Sequence, residues 1–331
     1  VEQDTELGGS LLHDPSDVDG QKSANWLSQT ISNLQELENV QIMLLSTVAG
    51  YYDDNFLTIH DRCAAYRKED PIEVFWKVRA AEVVLATGAI EQPLLFGNND
   101  LPGIMYAGAM RHYANRFGVQ CGKRVVGVVN NDLGWHSVMA LPDAGIEVAA
   151  ILDTRAQVKE SLEARAEKSG LAIHLGAVPI RARGSQSVKS LEYRDSQGRS
   201  ASVQCDAIAM SGGLNPTVHL YSQAGGRLRY DADLACFVPD ECRQQVKVVG
   251  AANGEFAAAA EYNIGGRLAS PAKTNSQWVD FVHDVTVSDI ELAHRENLQS
   301  VEHVKRYTTT GMAIDQGKTS NLNALTLLGE L

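Results

Sequence analysis

The sequence has no Cys-x-x-Cys pair: its five cysteines, Cys63, Cys121, Cys205, Cys236 and Cys242, are scattered over 331 residues. That scatter excludes a disulfide framework and a zinc site of familiar spacing, so the thiols are expected to be free, Cys236 and Cys242 included. No apolar run approaches the length of a bilayer span and no signal peptide precedes Val1. Neither a membrane nor export is expected, and a reducing cytoplasm fits. A surplus of positive charge is also missing. With 29 Lys and Arg against 41 Asp and Glu, the formal net charge is −12. That balance argues against nucleic acid or an anionic membrane surface as partner and leaves small organic molecules and other proteins. No Ser/His/Asp or Cys/His set has a catalytic spacing, and the nine histidines form no ligand pairs. No catalytic residue and no metal site is therefore expected in this chain.

What is present is an ordinary globular composition, 44% hydrophobic and 21% charged, long enough for two nucleotide-sized domains. The segment Glu82-Val83-Val84-Leu85-Ala86-Thr87-Gly88-Ala89 is a β-branched run closed by a small-residue turn. Such a run suits a buried parallel strand whose carboxyl end lets backbone approach a ligand. Val246-Lys247-Val248-Val249-Gly250-Ala251-Ala252-Asn253-Gly254 repeats that logic. At the start, Val1-Glu2-Gln3-Asp4 and Gly8-Gly9-Ser10 read in two ways. One is an acidic tail entering a glycine turn; the other is the end of a second Rossmann strand, with Glu2 accepting from ribose hydroxyls. Trp26 to Leu37 has helical spacing, and Val40 to Ile59 reads as short strands broken at Gly50 and at Asp53-Asp54-Asn55.

A second strand, helix and strand follow: Lys123 to Asn130, Trp135 to Ala144 closed by Gly145, and Ile146 to Asp153. Their order and the placing of Asp153 match a Rossmann unit. The turn between them does not. Asn130-Asn131-Asp132-Leu133-Gly134 has one glycine, and the Asp132 carboxylate falls where a pyrophosphate would sit. Repulsion and added side chains disfavour phosphate there, so this unit is expected to be structural. Pro142 is expected to kink the helix or to open a turn. A helix over Gln157 to Ser169 and strands over Ala172 to Gly184, Ser187 to Arg194 and Ala201 to Ser211 complete the region.

Late in the chain runs Ser300-Val301-Glu302-His303-Val304-Lys305-Arg306-Tyr307-Thr308-Thr309-Thr310-Gly311-Met312, then Asp315-Gln316-Gly317-Lys318-Thr319-Ser320-Asn321. On the residues alone this is either a solvated hydroxyl-rich loop or a donor surface for a phosphate or polar partner. As a motif it resembles the alpha subunit of heterotetrameric sarcosine oxidases. The resemblance extends to Ala89-Ile90-Glu91-Gln92-Pro93, Asn98-Asn99-Asp100-Leu101-Pro102-Gly103-Ile104 and Val282-His283-Asp284-Val285. Two departures stand out: Gln92 where Arg is expected, and Ala313-Ile314 where a smaller or hydroxyl pair is common.

The resemblance implies an α/β fold with two Rossmann-like FAD/NAD(P)-binding domains, the second inserted in the first as in disulfide-reductase-like flavoproteins. The expected division is 1–103 with 214–270 for the dinucleotide domain, 104–213 for the inserted degenerate domain and 271–331 for a partner-facing extension. The implied dinucleotide site comprises Glu2, Gln3, Ser10, Val48, Thr87, Gly88, Ala251, Asn253 and Phe256. Ala251-Ala252-Asn253 replaces the usual Gly-Asp flavin contact, which disfavours FAD in its usual pose; NAD is what the resemblance implies, while the residues alone leave NAD or FAD open. Lys305, Thr308, Thr309, Gln316, Lys318, Thr319 and Ser320 are implied to lie near FMN or the partner. Family alpha subunits also carry a ferredoxin-like segment and glycine loop before the matching region and a folate-binding domain after it, so the chain is expected to be a fragment. The implied reaction is oxidative demethylation of sarcosine to glycine, with hydrogen peroxide and formaldehyde or 5,10-methylenetetrahydrofolate. FAD and tetrahydrofolate belong elsewhere in a complex with beta, gamma and delta subunits, and the isolated chain is expected to be inactive. An opine, proline or cyanide-forming dehydrogenase alpha subunit, or a non-catalytic nucleotide-binding scaffold, stands as the alternative.

Overall fold

A computed structural model of the chain describes residues 1–14, 16–62, 73–256, 262–266 and 276–331. Cys63 and the expected boundary at 270/271 lie outside the described residues. Contacts divide the chain into one unit of Val1–Gly88, Pro216–Tyr230 and Phe237–Glu255, and another of Ala89–Asn215, Asp231–Cys236 and Phe256–Leu331. Residues 89–103 and 276–331 thus belong to the unit containing 104–213, unlike the expected division. The reason is the run Leu94-Leu95-Phe96, which is buried. Leu94 and Phe96 pack with Val126, Val128 and Leu191, while Leu95 packs with Val279 of the strand Trp278–Asp280 and with Ile290, Val304 and Leu327 of the C-terminal helices. One short strand-like run is therefore shared by two cores.

In the first unit Ser46–Tyr52, Phe56–Asp61 and Val74–Arg79 form an antiparallel sheet. Gly50 does not break its strand as expected. It sits inside Ser46–Tyr52 at a register shift after Val48, where a bulge absorbs the extra residue. Asp54 and Asn55 make the turn with φ 55° and 50°, a left-handed conformation these side chains tolerate. Val83–Leu85 pairs in parallel with Val246–Val248, and the core is Tyr51, Leu57, Val83, Leu85, Leu220 and Tyr221. Residues 1–7 form no regular strand, but Glu2 N donates to Met43 O and Ser46 N to Glu2 O, both at 2.8 Å.

The second unit holds a five-stranded parallel sheet in the order Ile173–Leu175, Glu147–Asp153, Arg124–Val129, Ala207–Ser211, Ile104–Tyr106. Helices Ala107–Phe117, Asp132–Met139 and Glu160–Lys168 lie between its strands in sequence. The helix expected over Trp135 to Ala144 begins earlier, where Asn131 Oδ1 accepts from Gly134 N at 2.9 Å, and stops at Met139. Pro142 has no N–H to continue it and instead opens the 3-10 turn Pro142–Ala144. Gly176, at φ 62°, splits the single strand expected over Ala172 to Gly184. A three-stranded antiparallel sheet of Val178–Gly184, Val188–Arg194 and Ser200–Gln204 covers one face, and helices Val287–Arg295, Val301–Thr308 and Asn321–Glu330 complete the unit. The first of these is closed by a capping box between Thr286 and Asp289.

At the carboxyl ends of the central strands lies a buried ion network. Arg155 donates to Asp132 Oδ1 at 2.6 Å and to Asp153 Oδ2 at 2.7 Å, and Trp135 Nε1 donates to Asp153 Oδ2 at 2.6 Å. Lys159 Nζ stands 3.4 Å from the second Asp132 oxygen. Arg155→Met would leave buried Asp153 without a cation and Asp132 with Lys159 alone, and is expected to destabilise the protein by about 3–5 kcal/mol in urea unfolding. A loss under about 1 kcal/mol would mean that the network relaxes into water, contrary to this account.

Candidate functional site

In the first unit the parallel pair Val83–Leu85 and Val246–Val248 brings two glycine turns together, Thr87-Gly88 and Gly250-Ala251. Gly88 has φ 71° and Gly250 φ 61°, and a side chain at either would meet nothing within 4 Å. The backbone at both strand ends therefore faces open space, as close approach of a ligand requires. Thr87 Oγ1 donates to Thr217 O at 2.7 Å and Thr217 N to Gly88 O at 2.9 Å, fixing the first turn. The second is fixed by Glu255, whose carboxylate accepts from Gly250 N at 3.1 Å and Asn253 Nδ2 at 3.0 Å. Glu2 Oε1 accepts from Asp4 N at 2.9 Å, and its other oxygen has no partner among the described residues. Gln3 and Ser10 are exposed and Val48 is half-buried at the bulge. Phe256 lies in the second unit, buried edge-on against Tyr262. Open glycine turns and an available carboxylate oxygen fit the adenosine half of a dinucleotide.

The second Rossmann-like unit does not fit one. The acid that could accept from a ribose, Asp153, is saturated by Trp135 and Arg155, and Asp132 is held by Arg155 in the place of a phosphate. Asn130 and Asn131 are fully buried and bond inward, to Gly266 O at 3.1 Å and Ser211 Oγ at 3.0 Å.

The C-terminal signature is a folded turn. Buried Asp280 accepts from Gly311 N at 2.8 Å, from Val282 N and His283 N at 3.0 Å each, and from Ser320 Oγ at 3.3 Å. Burial pushes the Asp280 carboxyl up, but these donors outweigh it and its pKa falls below the ordinary aspartate value. Thr308 Oγ1 donates to Val304 O, Thr319 Oγ1 to Asp315 Oδ2 and Gln316 Nε2 to Ala313 O. These hydroxyls and the amide serve internal bonds. Thr309 is exposed at φ 66°, closing its helix, and the Lys305 and Lys318 ammonium groups have no carboxylate partner among the described residues. Gln92 is buried and donates to Lys318 O at 2.9 Å, which a neutral amide does without burying the charge an arginine would bring.

Sequence reasoning gave Glu91 no role. Its carboxylate accepts from Gly108 N at 2.9 Å, capping helix Ala107–Phe117 from outside the helix. Although the residue is partly exposed, its carboxyl is desolvated, and its pKa is pushed up to about 7 against the pull of Ser211, Gly108 and Arg111. Tyr106 next to it is raised by burial and by the Glu91 and Asp315 carboxylates, against a hydrogen bond with Thr319. No spacing in the sequence marks this cluster, because its members come from four separate segments. Among the described residues no group of three or more His, Cys, Asp or Glu could hold a metal ion, and no helix is long and apolar enough to cross a membrane.

The family model described as the sarcosine oxidase A3 domain matches residues 274–331. The sarcosine oxidase subunit alpha of Rhizobium meliloti (strain 1021) is 34% identical, the match covering 100% of this chain and 37% of that protein. The chain thus spans well under half of that relative's length. Among solved structures, L-proline dehydrogenase from P. horikoshii superposes with a TM-score of 0.71 at 18% identity, covering 99% of this chain and 68% of that one. Lactococcus lactis thioredoxin reductase gives 0.54 at 15% identity, covering 98% and 88%. These two likenesses concern the fold, a Rossmann-like α/β flavoprotein fold.

The Glu91 shift has a definite sign. Between its ordinary value of 4.5 and about 7 the native state keeps a proton that the unfolded chain has lost. Its contribution is complete below 4.5 and is lost as pH rises through about 7. Relative to wild type, Glu91→Gln is expected to gain up to about 3 kcal/mol across that window. Urea unfolding at both ends of it provides the check, and a constant difference between the two proteins would show that the carboxyl is not desolvated.

Proposed function

Because the chain is related along its whole length to the alpha subunits of sarcosine oxidase, we propose that it is part of such an alpha subunit, in an oxidoreductase built from several subunits. The 34% identity over the entire chain is the observation that carries this reading. The first unit binds NAD, with Glu2 accepting from the ribose hydroxyls and the turns at Gly88 and Ala251 against the pyrophosphate. Gln3, Ser10, Val48, Thr87 and Asn253 border it. The open glycine turns support this assignment, and the saturated acids of the second Rossmann-like unit support one nucleotide rather than two.

The segment around Lys305, Thr308, Thr309, Gln316, Lys318, Thr319 and Ser320 faces the beta subunit and its FMN. Lys305 and Lys318 supply positive charge toward a phosphate in a chain that is otherwise acidic. Bound FMN would supply electron transfer to oxygen. This chain contributes binding and positioning, while demethylation of sarcosine to glycine belongs to FAD in the beta subunit. Hydrogen peroxide and formaldehyde or 5,10-methylenetetrahydrofolate are the remaining products, the gamma and delta subunits complete the heterotetramer, and the cytoplasm is its compartment.

Co-expression with the beta subunit followed by cofactor extraction tests the assignment, with NAD and FMN expected. A charged hydrogen bond contributes roughly 1.5–3 kcal/mol. Glu2→Ala should therefore weaken NAD binding about ten- to a hundredfold in calorimetry, and an unchanged affinity would remove Glu2 from the site. Hydrogen exchange of residues 301–321 with and without the beta subunit tests the partner-facing assignment. Added protection at Thr309, Met312 and Ile314 is expected, and equal exchange in both states would restrict the segment to internal packing.

A further inference from the structure

A cleft of about 440 Å³ runs along the edge strand Ile104–Tyr106 of the second unit. Its lining is set by contacts already described. Tyr106 and Met210 stand side by side because their strands pair in parallel at those residues. Asn99 clamps the opposite wall, accepting from Trp278 N at 2.8 Å and donating to Trp278 O at 2.9 Å. Asp280 then fixes the turn after Phe281 through Val282 N and His283 N, which carries Asp284 to the cleft. Asp284 keeps φ 55° there. Asp100, the residue after Asn99, lines the cleft as well.

The chemistry of this lining is selective. Tyr106, Trp278 and Phe281 offer aromatic surface and Met210 a polarisable thioether. Asp100 and Asp284 are exposed carboxylates with no cationic partner among the described residues. Two negative charges at one cleft repel a phosphate or a carboxylate ligand and leave their own charge uncompensated. Aromatic rings attract a cation whose charge is spread over methyl groups, because the ring face is the negative end of its quadrupole. The volume accommodates such a cation with part of its water.

We propose that this cleft is a binding site for a small methylated ammonium ion, with Trp278, Phe281 and Tyr106 against its methyl groups and Asp100 and Asp284 as its counter-charge. The site lies within one unit, uses none of the nucleotide residues, and does not rest on the function proposed above.

The test titrates the protein with choline and with 3,3-dimethyl-1-butanol, the uncharged molecule of the same shape, by calorimetry or ligand-observed NMR. Choline is expected to bind at least about tenfold more tightly than the alcohol. Asp284→Asn and Asp100→Asn should each weaken choline about tenfold and leave the alcohol unchanged. Trp278→Leu should weaken both, and Trp278→Phe, which keeps a ring, should retain most of the binding and shows that a loss in the leucine variant is not unfolding. Equal binding of the two probes would make the cleft a plain apolar groove and overturn the proposal. So would choline binding unchanged in both Asp variants, or none at millimolar concentration.

Discussion

The carboxylate of Asp280 is the point on which the C-terminal part of the second unit depends. It ends the short strand Trp278–Asp280, is 3% exposed, and collects four donors from residues up to forty positions away. Without it, the N–H group of Gly311 would be buried without an acceptor, costing about 1–3 kcal/mol. The same oxygen atoms set the path of Phe281 to Asp284 and the closure of the Thr308 to Ser320 turn. Cleft wall and signature turn are therefore coupled through one charge.

The two Rossmann-like units show opposite solutions at the ends of their strands. In the second, Asp153 and Asp132 would repel each other and any phosphate, and Arg155 bridges both inside the protein with Lys159 as the second cation at Asp132. The guanidinium fork can bond two acids at once, which a lysine cannot do with the same geometry. The cost is that the crevice is occupied by the protein's own cation. In the first unit the corresponding strand ends carry glycines at Gly88 and Gly250, and the nearby Glu255 bonds only its own turn. Polar groups are satisfied locally there, so the backbone surface stays open.

Much of this was legible in the sequence because it rests on local pattern. Strands Arg124–Val129 and Glu147–Asp153 declare themselves by β-branched runs, and the lost glycine loop by Asn130-Asn131-Asp132. What the pattern could not give was which core a segment joins. The resemblance places residues 89–103 in the first domain, yet Leu94-Leu95-Phe96 is buried by groups scattered from Val126 to Leu327. Gly50 misled for a similar reason, since a bulge inside a strand and a break between strands share one residue type. Glu91, Tyr106, Asp315 and Thr319 meet only in three dimensions. Single carboxylates of that kind leave no spacing to read.

In the signature segment the proposed binding surface and a packed turn are the same residues. Its hydroxyls looked like donors for a ligand, but Thr308, Thr319 and Ser320 spend them on Val304, Asp315 and Asp280. That leaves lysine ammonium groups and an apolar tip, Met312 at 49% and Ile314 at 97% exposure, mounted on a turn in which Thr310, Gly311, Ala313 and Gly317 are buried. An exposed isoleucine on a mobile loop would lose conformational freedom on docking, which opposes association. Held between buried Ala313 and the Asp315-Gln316-Gly317 turn, Ile314 has lost much of that freedom already. Under the proposed partner-facing role the internal hydrogen bonds favour binding as much as folding: they hold the lysines and the apolar tip in one arrangement before a partner arrives.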